Sequence, residues 1–217
     1  MWKSLKLQIF ILSFLAFWSL SHGFEIKCTF AYTQIRQSEH NRYTCTAEIV
    51  EIESELLDDE TTLTDIKGTH LTEKQNTTEI TKENKDVEVF LIWSSHDNLT
   101  SLPKNLDKFF PNLISLQWWN GDLSEIAAKD LNFPNLINLG LHNNKLRALN
   151  GDLFKFTPKL QTIGFEENLI MEVGDGLLDG LSNLTSAYFD GNICIQFDAT
   201  KKEHIRKLKD IIEFSCA

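Results

Sequence analysis

His142, Glu166 and Asp190 follow one another at equal intervals of 24 residues. If equal intervals mean equal places in stacked units, adjacent members stand about 5 Å apart. An imidazole and two carboxylates in a column have three readings. They form a solvated acidic edge, they meet a cationic side chain of a partner, or they converge on a divalent metal. The solvated edge is the simplest, because a metal would need Glu166 and Asp190 to turn toward each other. His142 with Glu166 is also the one pair that could exchange a proton. An open, wet face tunes acidity poorly, however. No Gly-x-Ser-x-Gly elbow, His-Glu-x-x-His helix or phosphate loop occurs. The expectation is a protein that is not an enzyme, with no cofactor and no resident metal.

Four cysteines, Cys28, Cys45, Cys194 and Cys216, supply the other candidate chemistry. No Cys-x-x-Cys or neighbouring His pair supports zinc. Residues 1–23, MWKSLKLQIFILSFLAFWSLSHG, read as a secretory leader: Lys3 and Lys6, an apolar run from Ile9 to Leu20, then a short Ser-His-Gly end. The run is short for a membrane span. An even cysteine count in a secreted chain reads as disulfides. Of three pairings, the local one, Cys28–Cys45 and Cys194–Cys216, is the simplest. Asn76, Asn98 and Asn183 each open an Asn-x-Thr sequon and become glycosylation candidates outside the cell.

Charge narrows the partner. The formal charge is −10, and loss of Lys3 and Lys6 with the leader takes it to −12. Such a surface disfavours nucleic acid and anionic lipid. The run EIVEIESELLDDE at 48–60 holds seven acids in thirteen residues and reads as a strand leaving a cap, or as a solvated loop.

Positioning His142, Glu166 and Asp190 requires a repeat. In LINLGLHNNKLRAL, numbered from Leu136, apolar residues fall at 1, 4, 6, 11 and 14, with Asn144 at 9. Leu160, Ile163, Phe165, Asn168, Ile170 and Val173 repeat the pattern, as do Leu184, Ala187, Phe189, Asn192 and Cys194. Leu113, Leu116, Trp118, Leu123 and Ile126 follow it with Gly121 at the Asn place. Val89, Ile92, Leu99 and Leu102 fit loosely, with Ser94 and Asp97 at places 6 and 9. Places 4 and 6 put two side chains on one face of a short strand. The Asn at 9 hydrogen-bonds the turning backbone of its own rung and the next. One unit cannot bury its own apolar face, so the units must stack.

The spacing resembles the extracellular leucine-rich repeat, over residues 87–195. The segments after each strand, with Phe-Phe-Pro-Asn at 109–112 and Phe-Pro-Asn at 133–135, agree. The resemblance implies an α/β fold: a short solenoid of about five repeats with a concave parallel β-sheet and disulfide-tied caps. Residues 24–86 become the N-terminal cap, with Ile66 and Leu71 as places 6 and 11 of a degenerate rung. Residues 196–217 become a helical C-terminal cap, opened by a capping box from Thr200 to Glu203 and carrying Ile205, Leu208, Ile211 and Ile212 inward.

Places 3, 5 and 7 then face outward on the concave side. Column 3 is Leu91, Ser115, Asn138, Thr162 and Ser186. Column 5 is Trp93, Gln117, Gly140, Gly164 and Tyr188. Column 7 is Ser95, Trp119, His142, Glu166 and Asp190. The expected ligand-binding residues are Trp93, Gln117, Trp119, His142, Glu166, Tyr188 and Asp190, because exposed Trp and Tyr mark binding hot spots. Gly140 and Gly164 form a strip that reads as a shallow groove. The resemblance is nearest to small secreted insect members of the family. It implies a recognition module for an extracellular or cell-surface protein, in body-fluid immunity or adhesion. A carbohydrate or microbial-surface binder using the Trp119–Gly140–Gly164 strip is the second reading, and a structural extracellular protein the third. The sequence does not set the oligomeric state.

Overall fold

The computed structural model describes residues 23–34, 40–49, 62–75, 78–93 and 99–216. The leader up to His22, Ser94, Ser95, Asp97, two of the sequons (Asn76 and Asn98) and the acidic run beyond Ile49 lie outside the described residues.

Strict alternation builds the N-terminal cap. In β1 (Gly23–Gln34), Phe24, Ile26, Cys28 and Phe30 point into the core, and Glu25, Lys27 and Thr29 point to water. In β2 (Asn41–Ile49), Tyr43, Cys45 and Ala47 do the same. The two strands pair antiparallel, with Phe30 opposite Cys45. Cys28 and Cys45 form a disulfide across them, their Cα atoms 5.2 Å apart. β3 (Thr62–Lys67) adds to the free side of β1, burying Leu63 and Ile66. An exposed ribbon, β4 (Thr72–Gln75) with β5 (Thr78–Thr81), follows.

The repeat strands are β6 (Val89–Trp93), β7 (Ser115–Trp119), β8 (Asn138–Gly140), β10 (Thr162–Gly164) and β12 (Ser186–Tyr188). After the bends, β9 (Ala148–Leu149) and β11 (Glu172–Val173) form a small parallel pair. The main sheet has eight strands in the order β12-β10-β8-β7-β6-β2-β1-β3. From β2 to β12 every pairing is parallel. The cap is therefore part of the repeat sheet: β2 takes the place of a rung strand, with Cys45 beside Phe90. β3 runs parallel to β1, hence against the repeat strands, at the far edge. Ile66 sits there rather than at place 6 of a rung. The expected α/β leucine-rich repeat solenoid with disulfide-tied caps is the fold the chain adopts.

Two inward rows fill the core. Phe90, Leu116, Leu139, Ile163 and Ala187 stand at place 4, and Ile92, Trp118, Leu141, Phe165 and Phe189 at place 6; all are buried. The first rung is thus displaced by two residues from the sequence reading, with Val87 rather than Val89 at place 1. Side chains alternate with period two, so a slip of two leaves every residue on the same face and is invisible to hydrophobic pattern. Register fixes it: Trp93 lies opposite Trp119 and Leu91 opposite Gln117.

The place-9 asparagines form a buried ladder. Asn168 Oδ1 accepts the Leu146 amide at 3.1 Å, and its Nδ2 donates to the Leu141 and Phe165 carbonyls at 2.9 and 3.0 Å. Asn144 and Asn192 repeat the arrangement. Each asparagine joins its own rung to the preceding one, not to the next. In the second rung, a Cβ at Gly121 would lie 3.0 Å from Trp118 Nε1 and 2.8 Å from Asn144 Oδ1. The large indole at place 6 occupies the space an asparagine would need.

The last rung is closed by three devices. Ala187 and Ala199 exchange two backbone hydrogen bonds of 2.8 Å, covering the edge of β12. Asp198 Oδ1 accepts the amides of Phe189 and Asp190. The helix α1 (Lys202–Ser215) lays Ile205, Leu208 and Ile212 on the core. Cys216, tied to Cys194 with Cα atoms 5.2 Å apart, accepts the Val173 amide at 2.9 Å. The Thr200 capping box does not form. Lys201 is the N-cap and no side chain caps the helix, so α1 is held by packing and the disulfide. Among the described residues no helix is long and apolar enough to cross a membrane.

Candidate binding face on the concave sheet

The corrected register redraws the outward columns. One column reads Val89, Ser115, Asn138, Thr162, Ser186, and the next Leu91, Gln117, Gly140, Gly164, Tyr188. The third begins with Trp93 beside Trp119 and continues, two residues beyond each paired Gln117, Gly140, Gly164 and Tyr188, through His142, Glu166 and Asp190. The repeat spacing alone places Trp93 in the column of the glycines. The two-residue slip moves it to the head of the Trp119 column instead.

The rings are in contact. Trp93 meets Trp119 edge-on, centroids 5.6 Å apart at 80°, and Trp119 stacks on His142 at 4.7 Å and 29°. Offset and edge-on arrangements of this kind are the favoured ones for aromatic pairs. Trp93 remains 66 % exposed. Trp119 is pinned from its own strand: its Nε1 donates to Gln117 Oε1 at 3.1 Å, and Gln117 Nε2 donates to Ser115 Oγ at 3.0 Å. Residues two apart on a strand share a face, so this chain of three is a local consequence of the sequence Ser-Leu-Gln-Trp-Trp.

Gln117 also settles the glycine strip. A Cβ at Gly140 would lie 2.1 Å from Gln117 Oε1 and 3.0 Å from Trp119 Nε1. A Cβ at Gly164 would lie 2.8 Å from Glu166 Oε2. The glycines are buried beneath these side chains, so the expected open groove is roofed over. They make room for the glutamine that orients the indole and for the glutamate that follows.

The column changes character along its length. Burial pushes the His142 pKa down, which keeps its ring neutral against the indole. Burial also pushes Glu166 up. Its own backbone amide opposes the rise, and the charges of Asp198 and Glu167 add to it. Glu166 Oε2 is buried and makes no hydrogen bond among the described residues. Beyond it Asp190 is exposed. The face therefore runs from aromatic at β6 to acidic at β12. Tyr188, half-buried, stands in the glycine column beside the acidic end. Among the described residues no group of three His, Cys, Asp or Glu is placed to hold a metal.

Asp198 and Glu167 were not legible as members of this face. Asp198 reaches it from the cap, after the last repeat. Glu167 stands at place 8 with φ 53°, where the chain turns away from the sheet. Asn183, the one described sequon residue, is exposed in the loop before β12, off this face. A depression of about 310 Å³ beyond the bends is lined by Lys104, Lys129 and Arg147 together with Glu125 and Asp130. Its mixed charges favour no one ligand sign.

Residues 134–192, the rungs that carry the complete asparagine ladder, match the family model described as Leucine rich repeat. No curated protein matches the chain. Among solved structures, a chain of the Toll–Spatzle complex, a molecular hub in Drosophila development and innate immunity, is similar at 22% identity with a TM-score of 0.45. The match covers 50% of this chain and 15% of that one, so this protein spans a small part of that chain's length.

Proposed function

We propose that this protein is a secreted, non-enzymatic recognition module. It binds an extracellular or cell-surface protein through its concave sheet, in body-fluid immunity or adhesion. One observation carries the reading. Trp93 stands 66 % exposed at the head of a ring column whose next member, Trp119, is held by Gln117. A large ring fixed in water by its neighbours loses little freedom on binding, and Trp is enriched at interface hot spots. The repeat supports the reading in general terms, since stacked repeats present extended binding surfaces. The fold by itself does not choose among functions. The two disulfides accord with an oxidising compartment.

The carbohydrate reading uses Trp119 together with an open strip at Gly140 and Gly164. Gln117 and Glu166 cover that strip, which leaves the protein-binding reading ahead. The experiment immobilises the full oxidised chain and exposes it in parallel to extracellular fluid of its source and to a glycan panel. The reading expects saturable capture of a protein that soluble sugars do not compete away. Capture of glycans alone would replace it with the carbohydrate reading.

A further inference from the structure

We propose that the concave face takes an extended cationic polypeptide segment, laid across the strands, with a basic side chain at Glu166 and Asp190 and an apolar or aromatic one on Trp93. This rests on the recognition reading above and names the chemistry of its partner.

Geometry sets the length. The column from Trp93 to Asp190 crosses five neighbouring strands, β6, β7, β8, β10 and β12. Four spacings of about 4.8 Å span roughly 19 Å, the reach of about six extended residues. Because Gln117 and Glu166 fill the space over Gly140 and Gly164, such a segment rides on the side chains and does not sink between them.

Charge sets the sign. Glu166, Glu167, Asp190 and Asp198 gather at the β12 end, and among the described residues none of them forms an ion pair. Some other surface acids do find partners: Asp122 with Lys145, Asp179 with Lys209, Glu88 with Arg42. The charge of Asp198 disfavours a charge on Glu166, and a lysine or arginine from outside, meeting the exposed Asp190 and the half-buried Glu166, would relieve that. At the other end Trp93 offers an exposed ring to an apolar or aromatic side chain. The formal charge of −10 adds long-range attraction for a basic segment.

The test selects random peptides displayed on phage against the full oxidised chain, then measures the winning synthetic peptide on three proteins: the natural chain, Glu166→Gln with Asp190→Asn, and Trp93→Ala. Enriched peptides should carry Lys or Arg a few residues from an aromatic or large apolar residue. The double amide variant should bind at least about tenfold more weakly, and added salt should erase much of that difference. Its thermal midpoint should not fall, since among the described residues neither carboxylate has an ion-pair partner to lose. Acidic or neutral winners, or a double variant within twofold of the natural chain, overturn the cationic assignment. If Trp93→Ala weakens binding while the amide variant does not, the recognition face stands and the cationic ligand falls. If no peptide is enriched, or neither variant matters, both fall.

Discussion

Replacing Asn168 by alanine tests whether the rungs are joined as described. The side chain is buried and holds the Leu146 amide from the preceding rung, while donating to the Leu141 and Phe165 carbonyls. Alanine leaves one buried N–H without an acceptor and two buried carbonyls without this donor. Each stranded buried group costs about 1–3 kcal/mol. The amide loses its side-chain acceptor outright and the carbonyls lose part of their bonding, so the expected loss is about 3–5 kcal/mol. For a chain of this size that lowers the thermal midpoint by on the order of 10 °C. The assay is urea and thermal unfolding of oxidised protein, followed by circular dichroism. Asn168→Asp sharpens it. Aspartate can still accept the Leu146 amide but cannot donate to the carbonyls, and it buries a charge. It should therefore be no better than alanine at pH 7. A loss under about 1 kcal/mol for alanine would refute the reasoning, because it would mean that the ladder is not what satisfies these backbone groups.

Three further outcomes follow from the same geometry. Gly140→Ala places a Cβ against Gln117 Oε1, so it should release Trp119 from Gln117, red-shift tryptophan emission and destabilise by about 1–3 kcal/mol. Replacing Cys194 and Cys216 together by alanine should cost about 3 kcal/mol on urea unfolding, since 22 residues separate the pair. pH acts on His142 and Glu166 in opposite senses. His142 is depressed in the fold, so its contribution is complete above the unfolded value near 6.5 and is lost as pH falls; His142→Gln should flatten the decline of stability below that point. Glu166 is raised, so its contribution is present below its unfolded value and lost as pH rises through the folded one; Glu166→Gln should stabilise at pH 7 and not at low pH.

Much of this was written in the residues. Places 4, 6, 11 and 14 must turn inward on any structure that repeats them, so Leu139, Phe165 and Ile170 announced the core. An even cysteine count with two near each end announced the tied caps. Trp119, His142, Glu166 and Asp190 share a column because their spacing equals the repeat. The remainder depends on contacts that periodicity does not encode. A two-residue displacement of the first rung keeps every side chain on its face, so only strand register could put Trp93 beside Trp119. The glycine strip looked open because glycine has no side chain; it is filled from Gln117 one strand away and from Glu166. Asp198 closes the sheet from outside the repeat, where no repeat pattern could mark it. The Thr200–Glu203 spacing met the capping pattern, but helix α1 starts one residue after the N-cap Lys201 and leaves Thr200 outside.

The decisive comparison is equilibrium binding of the captured extracellular protein to three chains: the natural one, Trp93→Ala, and Phe156→Ala. Phe156 is an exposed aromatic on the segment between β9 and β10, away from the outward columns. A hot-spot tryptophan contributes at least about 2 kcal/mol, which is roughly a thirtyfold loss of affinity. Recognition through the concave sheet predicts that loss for Trp93→Ala and no change for Phe156→Ala. Full affinity in Trp93→Ala with a loss in Phe156→Ala would contradict it and place the partner off the sheet.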